Sequence, residues 1–124
     1  MIHPLARYSL VYLGTPYSRY QSGIDAAFRD ACRLAAGLVR LNVRVYSPIA
    51  HTHPIAVHGG IDPLDASYWL SFDAAMMDKS ACLAIGCLDG WQDSAGLKHE
   101  IDVFESYGKA VWMVDPRTLS AEEQ

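Results

Sequence analysis

The sequence predicts a three-layer α/β fold around a doubly wound parallel sheet of four to five strands. Three observations carry that expectation. Short apolar runs alternate with longer segments of helical periodicity, in the order strand, helix, strand, helix, strand, helix, strand. Residues 81–86 (ACLAIG) have almost no polar side chain, as the centre of a parallel sheet demands. Right-handed crossovers through the intervening helices then set the strands side by side.

Residues 8–15 (YSLVYLGT) are rich in aromatic and β-branched side chains and close on Gly14, so they read as a buried first strand. Pro16 to Arg19 form a turn. In residues 22–41, Ile24, Phe28, Ala31, Leu34, Ala35, Leu38 and Leu41 recur at three- and four-residue steps, which predicts an amphipathic helix ended by Asn42. Residues 43–47 form a short second strand closed by Pro48. The polar segment 49–63, with its histidines, prolines and glycines, reads as a long functional loop. Residues 65–79 predict a second helix, 81–86 the third strand, and 88–93 a loop. A third helix over 94–107 stops at Gly108, and 110–114 form the fourth strand. The last ten residues carry no firm assignment.

Composition narrows the classes of function. The 124 residues suit one domain, residues 1–124, and 51% are hydrophobic, enough for a core. A net charge of −4 is a poor footprint for polymeric nucleic acid, though it leaves room for a single nucleotide. No apolar run approaches the roughly 20 residues of a membrane span, and no secretory signal is visible. Cys32, Cys82 and Cys87 lack metal or disulfide spacing and read as reduced thiols of a cytoplasmic protein.

An open parallel sheet binds ligands outside the carboxyl ends of its strands, where strand order reverses. That rule gathers the loops near residues 14–19, 47–58 and 86–93 and the end of the chain. The most informative stretch is Ser94-Ala-Gly-Leu-Lys-His-Glu100 at a strand-to-helix turn. A helix start offers free N–H groups to an anion, and Glu100 lies one turn beyond Gly96 on the same face. Gly96 weakens a helix start by up to about 1 kcal/mol against alanine, which suggests that a ligand approaches the backbone there. Glu100 reads either as a favourable helix-start acid or as a nucleophile. Tyr12 reads either as a core tyrosine or as a side chain facing the same crevice. Asp73, set among Phe72, Ala74, Ala75, Met76 and Met77, is costly to bury without a partner, unless its helix face is solvated. His51, His53 and His58 read as a lid over a base or sugar, a solvated loop, or a metal cluster that lacks the usual spacing of further ligands. The absence of G-x-G-x-x-G and GK[ST] patterns argues against NAD and ATP.

V-Y-L-G-T-P-Y-S, Asp73 before an apolar strand, and S94-x-G-x-x-x-E100 followed by G-K-A-V resemble the nucleoside 2-deoxyribosyltransferase superfamily. Y-S-P-I-A-H-x-H-P-I and G-W-x-D-S-A-G resemble its small bacterial and phage branch. The resemblance runs from about Tyr8 to Val114. It implies a flavodoxin-like fold and cleavage or transfer of an N-glycosidic bond without metal or other cofactor. It implies Glu100 as nucleophile, Tyr12 as the residue that positions it, and Asp73 as the group acting on the base. Ser94, where the transferases carry an aspartate, implies a 5′-monophosphate in preference to a nucleoside, with Gly96 beside it. Gly14, Tyr17, Arg19, His51 and His53 become candidate substrate contacts. A homo-oligomer, dimer or tetramer, with a shared active site is also implied, and Asp115, Arg117 and Ser120 are candidates to complete a neighbour's site. Two other classes stay open: a non-catalytic nucleotide-binding or sensing module, and a metal-dependent hydrolase using the loop histidines.

Overall fold

A computed structural model describes residues 2–124. Five strands form one sheet in the order β2-β1-β3-β4-β5: β1 (Val11–Gly14), β2 (Val45–Tyr46), β3 (Cys82–Gly86), β4 (Val111–Val114) and β5 (Ala121–Glu123). The helices are α1 (Ile24–Arg40), α2 (Pro48–Gly59), α3 (Leu70–Lys79) and α4 (Ala95–Ser106). The first four strands are parallel, with Tyr12 opposite Tyr46 on one side and Leu83 on the other. Chain order leaves β1 for β2 and returns past it to β3, so the topological switch lies between β1 and β3.

Strand alternation divides the core into two layers. Val11, Leu13, Cys82, Ala84, Trp112 and Val114 pack with Leu34 and Leu38 of α1 and with Leu5 of the N-terminal turn. Tyr12, Leu83, Ile85 and Val111 pack on the other face with Met77 of α3 and with Leu97 and Phe104 of α4. The result is the expected three-layer, Rossmann-like arrangement. Cap chemistry fixes the helix ends. The Leu97 N–H donates to Ser94 Oγ at the start of α4 (3.3 Å), and Asn42, φ 64°, follows the end of α1. Lys109 Nζ donates to the Met77 and Asp78 carbonyls at the end of α3.

Three expectations are corrected. The segment read as a long loop over 49–63 is mostly α2. Ser47 caps it, accepting from the Ala50 N–H at 3.3 Å, and Pro48 occupies the first turn, where a missing N–H costs nothing. Pro54 sits inside the helix and deprives one carbonyl of its donor, which explains why the residue pattern looked non-helical. The helix expected over 65–79 begins as a 3-10 turn, Ala66–Tyr68, and becomes α-helical at Leu70. The unassigned C-terminus supplies β5, antiparallel to β4, so the sheet is mixed. Asp115 builds the intervening turn by accepting from the Arg117 and Thr118 N–H groups. No helix of the described residues is long and apolar enough to cross a membrane.

Candidate active site

A cavity of about 350 Å³ opens at the carboxyl ends of β1, β2 and β3. Thr15 and Tyr17 reach it from the loop after β1, Pro48 and Thr52 from α2, Trp69, Asp73 and Met77 from α3, and Ser94, Gly96 and Glu100 from α4. The lining is mainly apolar with a few converging polar groups, the usual character of a small-molecule site.

Glu100 lies against the end of β1. A methyl group on Gly14 would come within 2.8 Å of Leu97 Cδ2 and closer still to Glu100 Oε1, so only glycine lets the carboxylate settle there. Tyr12 Oη donates to Glu100 Oε2 at 3.3 Å. Burial pushes the Glu100 carboxyl up to about 8; the charge of Asp73 adds to this and the Tyr12 hydrogen bond opposes it. Burial also pushes Asp73 up to about 6. The Tyr12 phenol is held far above its ordinary range by burial and by the charges of Glu100 and Asp73, so it remains a donor. Burial thus raises both acids of this cavity, a common property of functional sites.

Among the described residues, five buried side-chain polar atoms have no hydrogen-bond partner: Thr15 Oγ1, Tyr46 Oη, Trp69 Nε1, Asp73 Oδ1 and Glu100 Oε1. Four belong to residues lining this cavity. The fifth, on Tyr46, lies beside Tyr12, with ring centroids 5.7 Å apart, and its phenol is raised by burial and by the charge of Asp73. Each such atom costs about 1–3 kcal/mol. A fold that concentrates these costs around one cavity has not optimised that region for stability.

The sequence-predicted residues separate into two sets. Glu100, Tyr12, Asp73, Ser94, Gly96, Gly14 and Tyr17 come together at the cavity or in direct support of it. Gly96 has open space where a Cβ would stand, with only Ser94 Oγ within 4 Å, so nothing in the fold itself requires glycine there. Arg19 is absent from this cavity and lines a second hollow on the far side of Ser94. His51 is exposed and stacks on Phe72, centroids 4.9 Å apart, away from the cavity lining. His53 is only 5% exposed and also misses the lining. It stacks on Phe28 of α1 at 4.6 Å, and its Nδ1 shares a 2.6 Å hydrogen bond with Tyr17 Oη. His53 therefore positions Tyr17 and is no part of a lid. His51, His53 and exposed His58 point to different surroundings on one helix. Among the described residues no three His, Cys, Asp or Glu side chains are grouped to hold a metal ion. Asp115 and Ser120 are tied into the β4–β5 turn.

Thr15, Tyr46 and Trp69 are site residues that the sequence reading missed. Trp69 was legible in principle: it precedes Asp73 by four residues, which puts both on one helical face. Thr15 and Tyr46 gave no local signal beyond their places at strand ends.

A mostly parallel sheet with two partly buried carboxylates at its switch point defines a Rossmann-like α/β domain with a cleft of small-molecule size. Residues 9–115 match the family described as Domain of unknown function (DUF1937). The chain belongs to that family. No curated protein matches it.

Proposed function

We propose that this protein cleaves or transfers the N-glycosidic bond of a nucleoside 5′-monophosphate or nucleoside, with Glu100 as nucleophile. One observation carries the reading: unpartnered buried polar atoms cluster at the cavity that holds Glu100, Tyr12 and Asp73. The ionised Glu100 carboxylate attacks the anomeric carbon as the bond to the base breaks, giving a glycosyl ester. Asp73 gives the departing base its proton. Water or a second base, yielding its proton to Asp73, then attacks the same carbon and restores the Glu100 carboxylate. Tyr12 orients that carboxylate through Oε2. At the start of α4 the Gly96 N–H and the Ser94 hydroxyl proton are free to meet a 5′-phosphate. The resemblance in the Tyr12, Asp73, Ser94 and Glu100 set supports the same assignment.

The test is release of free base from a panel of ribo- and deoxyribonucleoside monophosphates. Wild type should release base, and Glu100→Ala should lose at least about a hundredfold. Equal release by the variant would remove Glu100 as nucleophile. Ser94→Asp should weaken monophosphate use and spare nucleosides, because it sets a like charge beside the phosphate.

A second reading is a nucleotide-binding module without turnover. The raised Glu100 carboxyl favours it, since a protonated acid is no nucleophile. Tight binding with no base release, unchanged in Glu100→Gln, would select this reading.

A further inference from the structure

Trp69 and Asp73 stand four residues apart at the start of α3, where the Asp73 N–H donates to the Trp69 carbonyl at 2.8 Å. Side chains at that spacing share one helix face, with Cβ atoms about 5–6 Å apart, and both line the cavity. Each carries a buried polar atom without a partner, Nε1 of Trp69 and Oδ1 of Asp73, so these two atoms do not bond each other. An indole N–H can only donate, so Trp69 calls for an acceptor on whatever fills the cavity. Ile49, Pro63, Leu64 and Leu70 line the same cavity and offer apolar walls to the faces of a flat ring. Ser94 and Gly96 of α4 take the 5′ end of a nucleotide seated as above, which leaves the α3 end of the cavity to the base.

We infer that Trp69 Nε1 is a specificity-determining donor, which restricts the base to one whose proton-accepting atom is flanked by a second acceptor. This rests on the glycosidic reading of the cavity and names its substrate class. As the N-glycosidic bond breaks, its electron pair leaves with the base, the Asp73 proton goes to that base, and the Glu100 carboxylate bonds the anomeric carbon. Trp69 then donates to the atom beside the one that Asp73 protonates. A 6-oxopurine presents N7 and O6 in this way, both acceptors, and cytosine presents O2 and N3. Adenine instead sets its amino group beside N7, and uracil or thymine sets N3–H beside O2. Each turns a donor against the indole N–H and leaves two buried donors unpaired. A site that strands its polar groups against the wrong substrate discriminates more strongly than an apolar pocket does.

Steady-state base release by the whole chain tests this, with guanine, hypoxanthine, adenine, cytosine and uracil nucleosides and their 5′-monophosphates as substrates. Within each ring class the protein accepts, kcat/KM for guanine and hypoxanthine should exceed that for adenine, and cytosine should exceed uracil, by at least about tenfold. Trp69→Phe keeps an aromatic ring and removes the N–H, so these ratios should fall to within about threefold, chiefly because the favoured bases slow. Adenine matching guanine in the wild type, or uracil matching cytosine, would overturn the inference and leave the glycosidic reading intact. So would a preference that Trp69→Phe preserves. Release of no base from any of these substrates would overturn both.

Discussion

Replacing Glu100 with glutamine should make the protein more stable while abolishing the proposed base release. In the unfolded chain a glutamate titrates near 4.5, whereas burial and Asp73 push Glu100 up to about 8. The folded state thus holds a proton that the unfolded state releases, and stability falls as pH rises between those values. Below pH 4.5 both states are protonated and the effect vanishes. Each pH unit above it contributes roughly 1.4 kcal/mol, so the wild type loses about 3 kcal/mol by pH 7 and about 5 kcal/mol above pH 8. Glutamine has the same shape, takes the Tyr12 hydrogen bond on its carbonyl oxygen, and carries no titrating proton. Urea unfolding of wild type and Glu100→Gln at pH 4.5, 7 and 8.5 measures the gap directly. The variant should match wild type at the lowest pH and exceed it by about 3 kcal/mol at pH 7, roughly 10 °C in Tm. A gap independent of pH, or none at pH 8.5, would refute the assignment of Glu100 as a carboxyl held out of water.

Two further predictions use the same carboxylates and their support. The proposed chemistry needs the pair's single proton on Asp73, the minority arrangement because Glu100 is the weaker acid, so a small kcat/KM should rise through about pH 6 and fall through about pH 8; a flat profile from pH 5 to 9 contradicts it. Gly14→Ala places a methyl group 2.8 Å from Leu97 and closer to Glu100, and should cost about 1–3 kcal/mol in unfolding experiments. It should also lower base release about a hundredfold by displacing the carboxylate, and unchanged kinetics would show that Glu100 is not held by this contact.

The strands and α1 were legible because one physical variable, apolar periodicity, decides them. Val11, Leu13, Cys82 and Ala84 face one layer and Tyr12, Leu83 and Ile85 the other, as period-two alternation requires. Asp73 was legible because an acid among apolar neighbours is costly and therefore informative, and Glu100 because it follows Ser94 and Gly96 at a helix start. The helix α2 was not, because its sequence, PIAHTHPIAVHG, mixes prolines and histidines that propensity assigns to loops. Its histidines were misread for the same reason. A loop histidine is free to reach a ligand, whereas His53 on a helix packed against Phe28 turns its ring nitrogens to Tyr17 and Asp25. Tyr46 and Thr15 were invisible because their roles depend on which strands become neighbours, and β1 meets β2 and β3 only in the folded sheet.

The polar costs of this protein are spatially sorted, and that sorting separates site from scaffold. Elsewhere buried polar groups find partners: Ser80 Oγ donates to the Met76 carbonyl, and Trp112 Nε1 to Tyr8 Oη at 3.0 Å. Trp69 Nε1, a buried donor at the cavity wall, has no partner among the described residues. The same chain that satisfies one buried indole leaves another unmet. Such a contrast within one molecule is hard to ascribe to a general shortage of hydrogen-bond partners. It follows if the missing interactions belong to the bound state, because a site tuned to a ligand or transition state leaves its polar groups unmatched when empty. The Glu100→Gln measurement is then more than a test of one residue. It gauges how much stability this fold gives up to keep an acid poised at the switch point of its sheet.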